Sequence, residues 1–162
     1  MDIFEFAMEK ERLSQEYYLE LKERTSNAGL ARIFEMLADE ESKHRQVVRR
    51  MKEGTPGDTI TDTDVLADAR QVFNNMRQAT DKFNLDVSEV ELYKKAQKIE
   101  AESRDFYLQK AEEAENPAHR DIFGKLAEEE KKHYYLLDNI IEFVRRPERW
   151  LENAEFFHPE PY

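Results

Sequence analysis

Residues 9–52 and 98–141 align with each other at an offset of 89 without a gap, and 14 of the 44 paired positions are identical. Glu11 falls on Glu100, Tyr18 on Tyr107, Asn27 on Asn116, Phe34 on Phe123, Glu41 on Glu130 and His44 on His133. The economical reading is one supersecondary unit used twice, which restricts the chain to architectures built from two copies of the same local structure.

Each unit reads as two helices with a break between them, at TSNAG (25–29) in the first and ENPA (115–118) in the second. Asn116 is a good N-cap, and Pro117 follows where a missing N–H costs nothing. The expected helices span 2–24, 29–52, 89–114 and 117–145. Ser88 with Glu91 reads as a capping box for the third, with Val87 and Leu92 as its hydrophobic staple. Between the units, GTPGDTITDTD (54–64) reads as a turn region, and an amphipathic segment follows with Leu66, Ala69, Phe73 and Met76 on one side. A connection over 53–88 is too long for a simple bundle loop and fits a crossover carrying a short helix. The tail 146–162 begins at Pro147 and is expected to be a short helical segment whose Trp150, Phe156 and Phe157 pack on the bundle or on a second subunit. The whole chain, 1–162, is expected to be a single all-α domain, a four-helix bundle of two hairpins.

The inward stripes of these helices carry the functional signal. The first helix gives Phe4, Ala7, Glu11, Ser14, Tyr18 and Leu21 at spacings of three and four. The second gives Phe34, Leu37, Glu41, His44, Val48 and Met51; the third, Tyr93, Ala96, Glu100, Ser103 and Tyr107; the fourth, Phe123, Leu126, Glu130, His133, Leu137 and Ile140. Glutamates and histidines thus interrupt core seams rather than decorate the outside. Glu11 and Glu41 are each 15 residues from position 26, and Glu100 and Glu130 each 15 from position 115. At 1.5 Å per residue all four lie roughly 22 Å from their turns, so facing hairpins bring four carboxylates and two imidazoles to one level.

Four buried carboxylates without positive charge would repel each other and lose hydration, or take up protons. Two divalent cations cancel four glutamates, and the neutral imidazoles add nitrogen. This donor set suits iron, with manganese or zinc as alternatives. The candidate ligands are therefore Glu11, Glu41, His44, Glu100, Glu130 and His133. Glu40 and Glu129 lie four residues before each histidine, a spacing that also allows ligation; Glu41 and Glu130 are preferred because they sit on the seam. Tyr18 and Tyr107 face inward two turns beyond the first- and third-helix glutamates, as core aromatics or as partners of the ligands. Ser14 and Ser103 line the same cavity as small spacers. His119 and His158 are off the seam and read as surface groups, and Glu128, Glu152 and Glu155 as solvated charges.

One Glu from each of two helices plus Glu-x-x-His from each of the other two resembles the ferritin-like di-iron carboxylate bundles. Within them, EKERLSQEYYLEL (9–21), IEAESRDFYLQK (99–110), the two LA(D/E)EE motifs and WLENAEF (150–156) are similar to the ferritin-like domain of rubrerythrins. The resemblance implies a di-iron oxidoreductase reducing peroxide or O₂ in oxidative-stress defence, with Glu41 and Glu130 bridging the two metals. It also implies an external electron donor such as rubredoxin, and a homodimer. The alternative it leaves is a metal-binding or storage protein of bacterioferritin type. Two departures stand out. The chain lacks the cysteine-bearing rubredoxin domain that typical members add, and it has Ser103 where they carry an extra glutamate one turn after the third-helix ligand.

Composition excludes several other classes. With no cysteine, the chain holds no disulfide, thiolate zinc site or iron–sulfur centre. A net charge of −11 argues against a nucleic-acid surface. The start MDIFEFAMEKER has neither a basic nor an apolar run, and no stretch reaches the roughly 18 apolar residues of a membrane span. A soluble cytoplasmic protein is the resulting expectation.

Overall fold

The structure, a computed structural model, describes residues 2–54, 65–78 and 85–147. Five helices follow one another: α1 (Ile3–Arg24), α2 (Ala28–Glu53), α3 (Val65–Gln78), α4 (Val90–Glu113) and α5 (Pro117–Arg145). A single 3-10 turn, Val87–Glu89, leads into α4. No strand occurs among the described residues, and no helix there is long and apolar enough to cross a membrane. The expected packing of Trp150, Phe156 and Phe157, and the readings of Glu152, Glu155 and His158, fall outside the described residues.

Local chemistry sets the helix ends. The Asp2 carboxylate accepts from the Glu5 N–H at 2.8 Å to open α1. Asn27 accepts from the Leu30 N–H at 2.9 Å to open α2. Asn116 accepts from the N–H groups of Ala118 and His119, with Pro117 beginning α5. Gly54 closes α2 at a φ of 69°, a left-handed conformation that glycine enters without a Cβ clash. Two local expectations fail. Ala28 already belongs to α2, one residue before the expected start at 29, so the first break is Thr25–Asn27 only. The Ser88–Glu91 capping box does not form: the Asp86 carboxylate takes both the N–H and the hydroxyl of Ser88, at 2.9 and 2.6 Å. The 3-10 turn then pushes the start of α4 on to Val90, and Val87 is left exposed rather than stapled.

α1 packs along α2 and α4 along α5, giving two antiparallel hairpins, and the hairpins meet through α1–α4 and α2–α5 contacts. The core divides into two apolar clusters. One joins the turn end of the first hairpin (Leu21, Leu30, Phe34) to the open end of the second (Val90, Tyr93, Ile140, Val144) and to α3. The other joins the open end of the first (Ala7, Val48, Met51) to the turn end of the second (Tyr107, Phe123, Leu126). The hairpins therefore lie head to tail, and the glutamate level falls between the two clusters.

α3 packs on α2 and α5 through Val65, Ala69, Phe73 and Met76, with Phe73 edge-on to Phe143 at 5.4 Å. Leu66, expected on this face, is half-buried against it. Gly29 leaves room for the Met76 thioether: a Cβ there would stand 2.9 Å from the sulfur, so any larger residue obliges that flexible side chain to shift. A Cβ at Gly124, inside α5, would meet nothing within 4 Å. Gly29→Val is accordingly expected to cost about 1–3 kcal/mol through overpacking. Gly124→Ala is expected to add about 0.5–1 kcal/mol through helix propensity. Urea unfolding of the two variants, read by circular dichroism, should show opposite shifts in midpoint.

Candidate metal centre

All six seam residues singled out from the sequence converge. Glu11, Glu41, His44, Glu100, Glu130 and His133 are each no more than 2% exposed. They come from α1, α2, α4 and α5, held at one level by apolar neighbours above and below on each stripe. Ligand atoms of Glu11, Glu41, His44 and Glu130 lie within 4.8 Å of one another, and so do those of Glu41, Glu100, Glu130 and His133. Glu41 and Glu130 belong to both groups. Two adjacent four-donor nests with a pair of shared carboxylates are thus built into the fold.

Every hydrogen bond within the cluster crosses from one hairpin to the other, and each has a counterpart 89 residues away. His44 Nδ1 lies 2.8 Å from Glu130 Oε1, and His133 Nδ1 lies 2.9 Å from Glu41 Oε1. The Tyr18 hydroxyl donates to Glu100 at 2.5 Å, and the Tyr107 hydroxyl donates to Glu11 at 2.6 Å. The imidazole rings stack at 5.6 Å with an interplanar angle of 7°. The repeat visible in the sequence is therefore a pseudo-twofold axis through the cluster.

Electrostatics separate the four carboxyls into two kinds. Burial pushes Glu41 and Glu130 well above the ordinary carboxylate range, and the charges of Glu100 and Glu11 push in the same direction. Burial would also raise Glu11 and Glu100. There, hydrogen bonds and the facing imidazoles overcome it, leaving Glu11 below its ordinary value and Glu100 at about 2. Without metal, then, each raised carboxyl has a lowered one beside it on the same hairpin: Glu41 with Glu11 and Glu130 with Glu100. His44 is lowered by burial but raised more by Glu11, 3.7 Å away. Tyr18 and Tyr107 are raised well above 10.0 by burial and by the glutamates they serve, so they stay hydrogen-bond donors.

The donor set fits divalent metal. Among the described residues, the buried side-chain polar atoms that lack a hydrogen-bond partner are Oε2 of Glu11, Glu41, Glu100 and Glu130 and Nε2 of His44 and His133. Each of the four glutamates thus keeps one oxygen unsatisfied inside the cluster, which a buried site retains only at a cost unless something else engages it, while the histidines turn Nδ1 toward the same carboxylates. Three carboxylates and one imidazole per nest favour iron or manganese over metals that seek thiolate.

Tyr18 and Tyr107 are orienting partners of the terminal glutamates rather than plain core aromatics. Tyr18→Phe and Tyr107→Phe should each weaken metal affinity by about 10–100-fold while leaving the fold intact, as loss of an outer hydrogen bond does elsewhere. A competition titration with a chromophoric chelator measures this. Ser14 and Ser103 are buried at the same level. Glu128 is exposed as expected, whereas His119 is half-buried, edge-on to Phe4 and Phe123. Glu40 and Glu129, which do not lie on the seam, are also buried. The stripe pattern alone misses them, although their spacing from the histidines is visible in the sequence.

These features define a ferritin-like helical bundle whose buried carboxylate–histidine cluster could hold two metal ions. The family model described as Rubrerythrin matches residues 2–141, and the chain belongs to the rubrerythrin family. A solved structure of a hypothetical protein from Pyrococcus furiosus superposes with a TM-score of 0.65 at 22% identity, covering 88% of this chain and 87% of that one; this likeness is one of fold. No curated protein matches the sequence.

Proposed function

We propose that this chain is a di-iron oxidoreductase that reduces peroxide or O₂ with electrons from a separate donor. The observation that carries the reading is the pair of four-donor nests sharing Glu41 and Glu130, with each glutamate retaining an unsatisfied oxygen. Bound iron would supply one-electron redox change at each of two adjacent positions and Lewis acidity toward oxygen. The protein's part is to hold those positions. Glu41 and Glu130 serve both nests, Glu11 and Glu100 serve one each, and His44 and His133 present Nδ1 inward. The tyrosine hydroxyls fix the terminal carboxylates, and the two apolar clusters exclude water above and below. A donor such as rubredoxin belongs to the proposal because iron oxidised by peroxide or O₂ must be re-reduced before the next turnover. A homodimer, a cytoplasmic setting and a role in oxidative-stress defence belong to the proposal as well.

The test is anaerobic. Protein loaded with two equivalents of ferrous iron is mixed with hydrogen peroxide or with O₂, and near-ultraviolet absorbance is followed by stopped flow. Oxidation faster than that of free ferrous iron, with re-reduction by added rubredoxin, is the expected result. Oxidation no faster than free iron would leave a metal-binding protein without turnover. A sizing column separates the storage reading, because a hollow cage elutes far ahead of a dimer.

A further inference from the structure

Glu40 and Glu129 are related by the same 89-residue offset and directly precede Glu41 and Glu130. They lie off the inward stripe, yet only 5% and 2% of their surface is exposed. With His44 they form a third group, whose ligand atoms lie within 4.8 Å of one another. Glu40 and His44 are four residues apart on α2, so both side chains can grip one ion. The His44 ring offers Nδ1 to the inner cluster, 2.8 Å from Glu130, while its other nitrogen, Nε2, is buried without a hydrogen-bond partner.

Neighbouring buried carboxylates repel unless a cation serves them. The cation beside this pair is Lys132, whose Nζ sits 3.1 Å from Glu129 Oε1 and whose side chain is 31% exposed. It can swing out to water while both carboxylates stay in place. We propose that Glu40, Glu129 and the Nε2 edge of His44 form an outer site where α2 meets α5, which takes up a divalent cation and passes it to the inner cluster. The proposal rests on reading the inner cluster as a metal centre. Lys132 stays paired with Glu129 until an ion displaces it. The transfer is short, because each outer carboxylate is the chain neighbour of a shared inner one and His44 belongs to both groups.

Cobalt(II) added to the metal-free full chain tests this, with loading followed by visible absorbance and final content by elemental analysis. Wild-type protein should finish with two ions. The double variant Glu40→Gln/Glu129→Gln should reach the same two ions and the same final spectrum about 10-fold or more slowly, since two charges that concentrate the cation are gone. Lys132→Gln, which leaves every carboxylate in place, should load faster than wild type. Wild-type rates in both variants would overturn the outer site. A final content below two ions in the double variant would overturn it as well, by showing that these carboxylates only position His44. Wild-type protein that takes up no cobalt would instead refute the inner centre, and the outer site with it.

Discussion

Glu41→Gln and Glu130→Gln should each abolish binding of both metal ions, whereas Glu11→Gln and His44→Ala should spare the ion of the other nest. The reason is membership: Glu41 and Glu130 contribute to both four-donor groups, and Glu11 and His44 to one only. Glutamine keeps the shape and a hydrogen bond but supplies neither the charge nor a second carboxylate oxygen. The energetic effect should be large. An ion at about a thousand times its dissociation constant stabilises the folded state by about 4 kcal/mol, so two ions raise the melting temperature by an amount on the order of 20 °C. In Glu41→Gln that rise should vanish. Elemental analysis after gel filtration gives the stoichiometry, and melting with and without metal gives the stabilisation. A Glu41→Gln protein that still retains one ion would refute the shared role.

The second large effect is on pH dependence. In the metal-free protein Glu41 and Glu130 are neutral at pH values where the unfolded chain has ionised them. Between the ordinary glutamate value of 4.5 and their raised folded values, the native state binds more protons than the unfolded one, so stability falls as pH rises. His44, also raised, adds to that fall above the ordinary imidazole value of 6.5. Glu100 acts oppositely: its contribution is full above 4.5 and is lost as pH drops toward about 2. For these groups, metal-free stability therefore peaks near the ordinary glutamate pKa and declines through neutrality, by about 1.4 kcal/mol per pH unit for each proton held. Metal reverses the trend. Cations replace the protons on Glu41 and Glu130 and the one His44 holds below its raised value, so loading near neutral pH releases about two to three protons and affinity climbs by up to about 100- to 1,000-fold per pH unit. Urea unfolding across pH 5–9, with and without manganese, checks the signs. Proton release in weakly buffered solution checks the number.

Much of this architecture was legible in the chain because the same signal is written twice. A lone Glu-x-x-His in so charged a sequence would carry little weight, but Glu41/His44 and Glu130/His133 share one phase within their apolar stripes. The hairpins, the level of the carboxylates and the inward tyrosines follow from that phase. What was not legible depends on contacts distant in sequence or on competing local chemistry. Ala28 reads as part of the break before the second helix, yet it opens α2, because the Asn27 side chain caps the helix there. Ser88 was open to two partners, Glu91 and Asp86, and only the position of the 3-10 turn decides for Asp86. Glu40 and Glu129 stand beside the seam at a spacing that allows ligation, but their burial is not written in the stripe; the packing of α2 on α5 is what buries them.

The head-to-tail relation of the hairpins also bears on ancestry. Neither half of the chain holds a complete nest, since each nest draws donors from both halves, and so does every hydrogen bond that orders them. Two identical hairpins brought together about a twofold axis would reproduce the whole arrangement. The present protein has the form expected of a gene duplicated and fused after its product already worked as a pair, with the linker around α3 added to join what had been separate molecules.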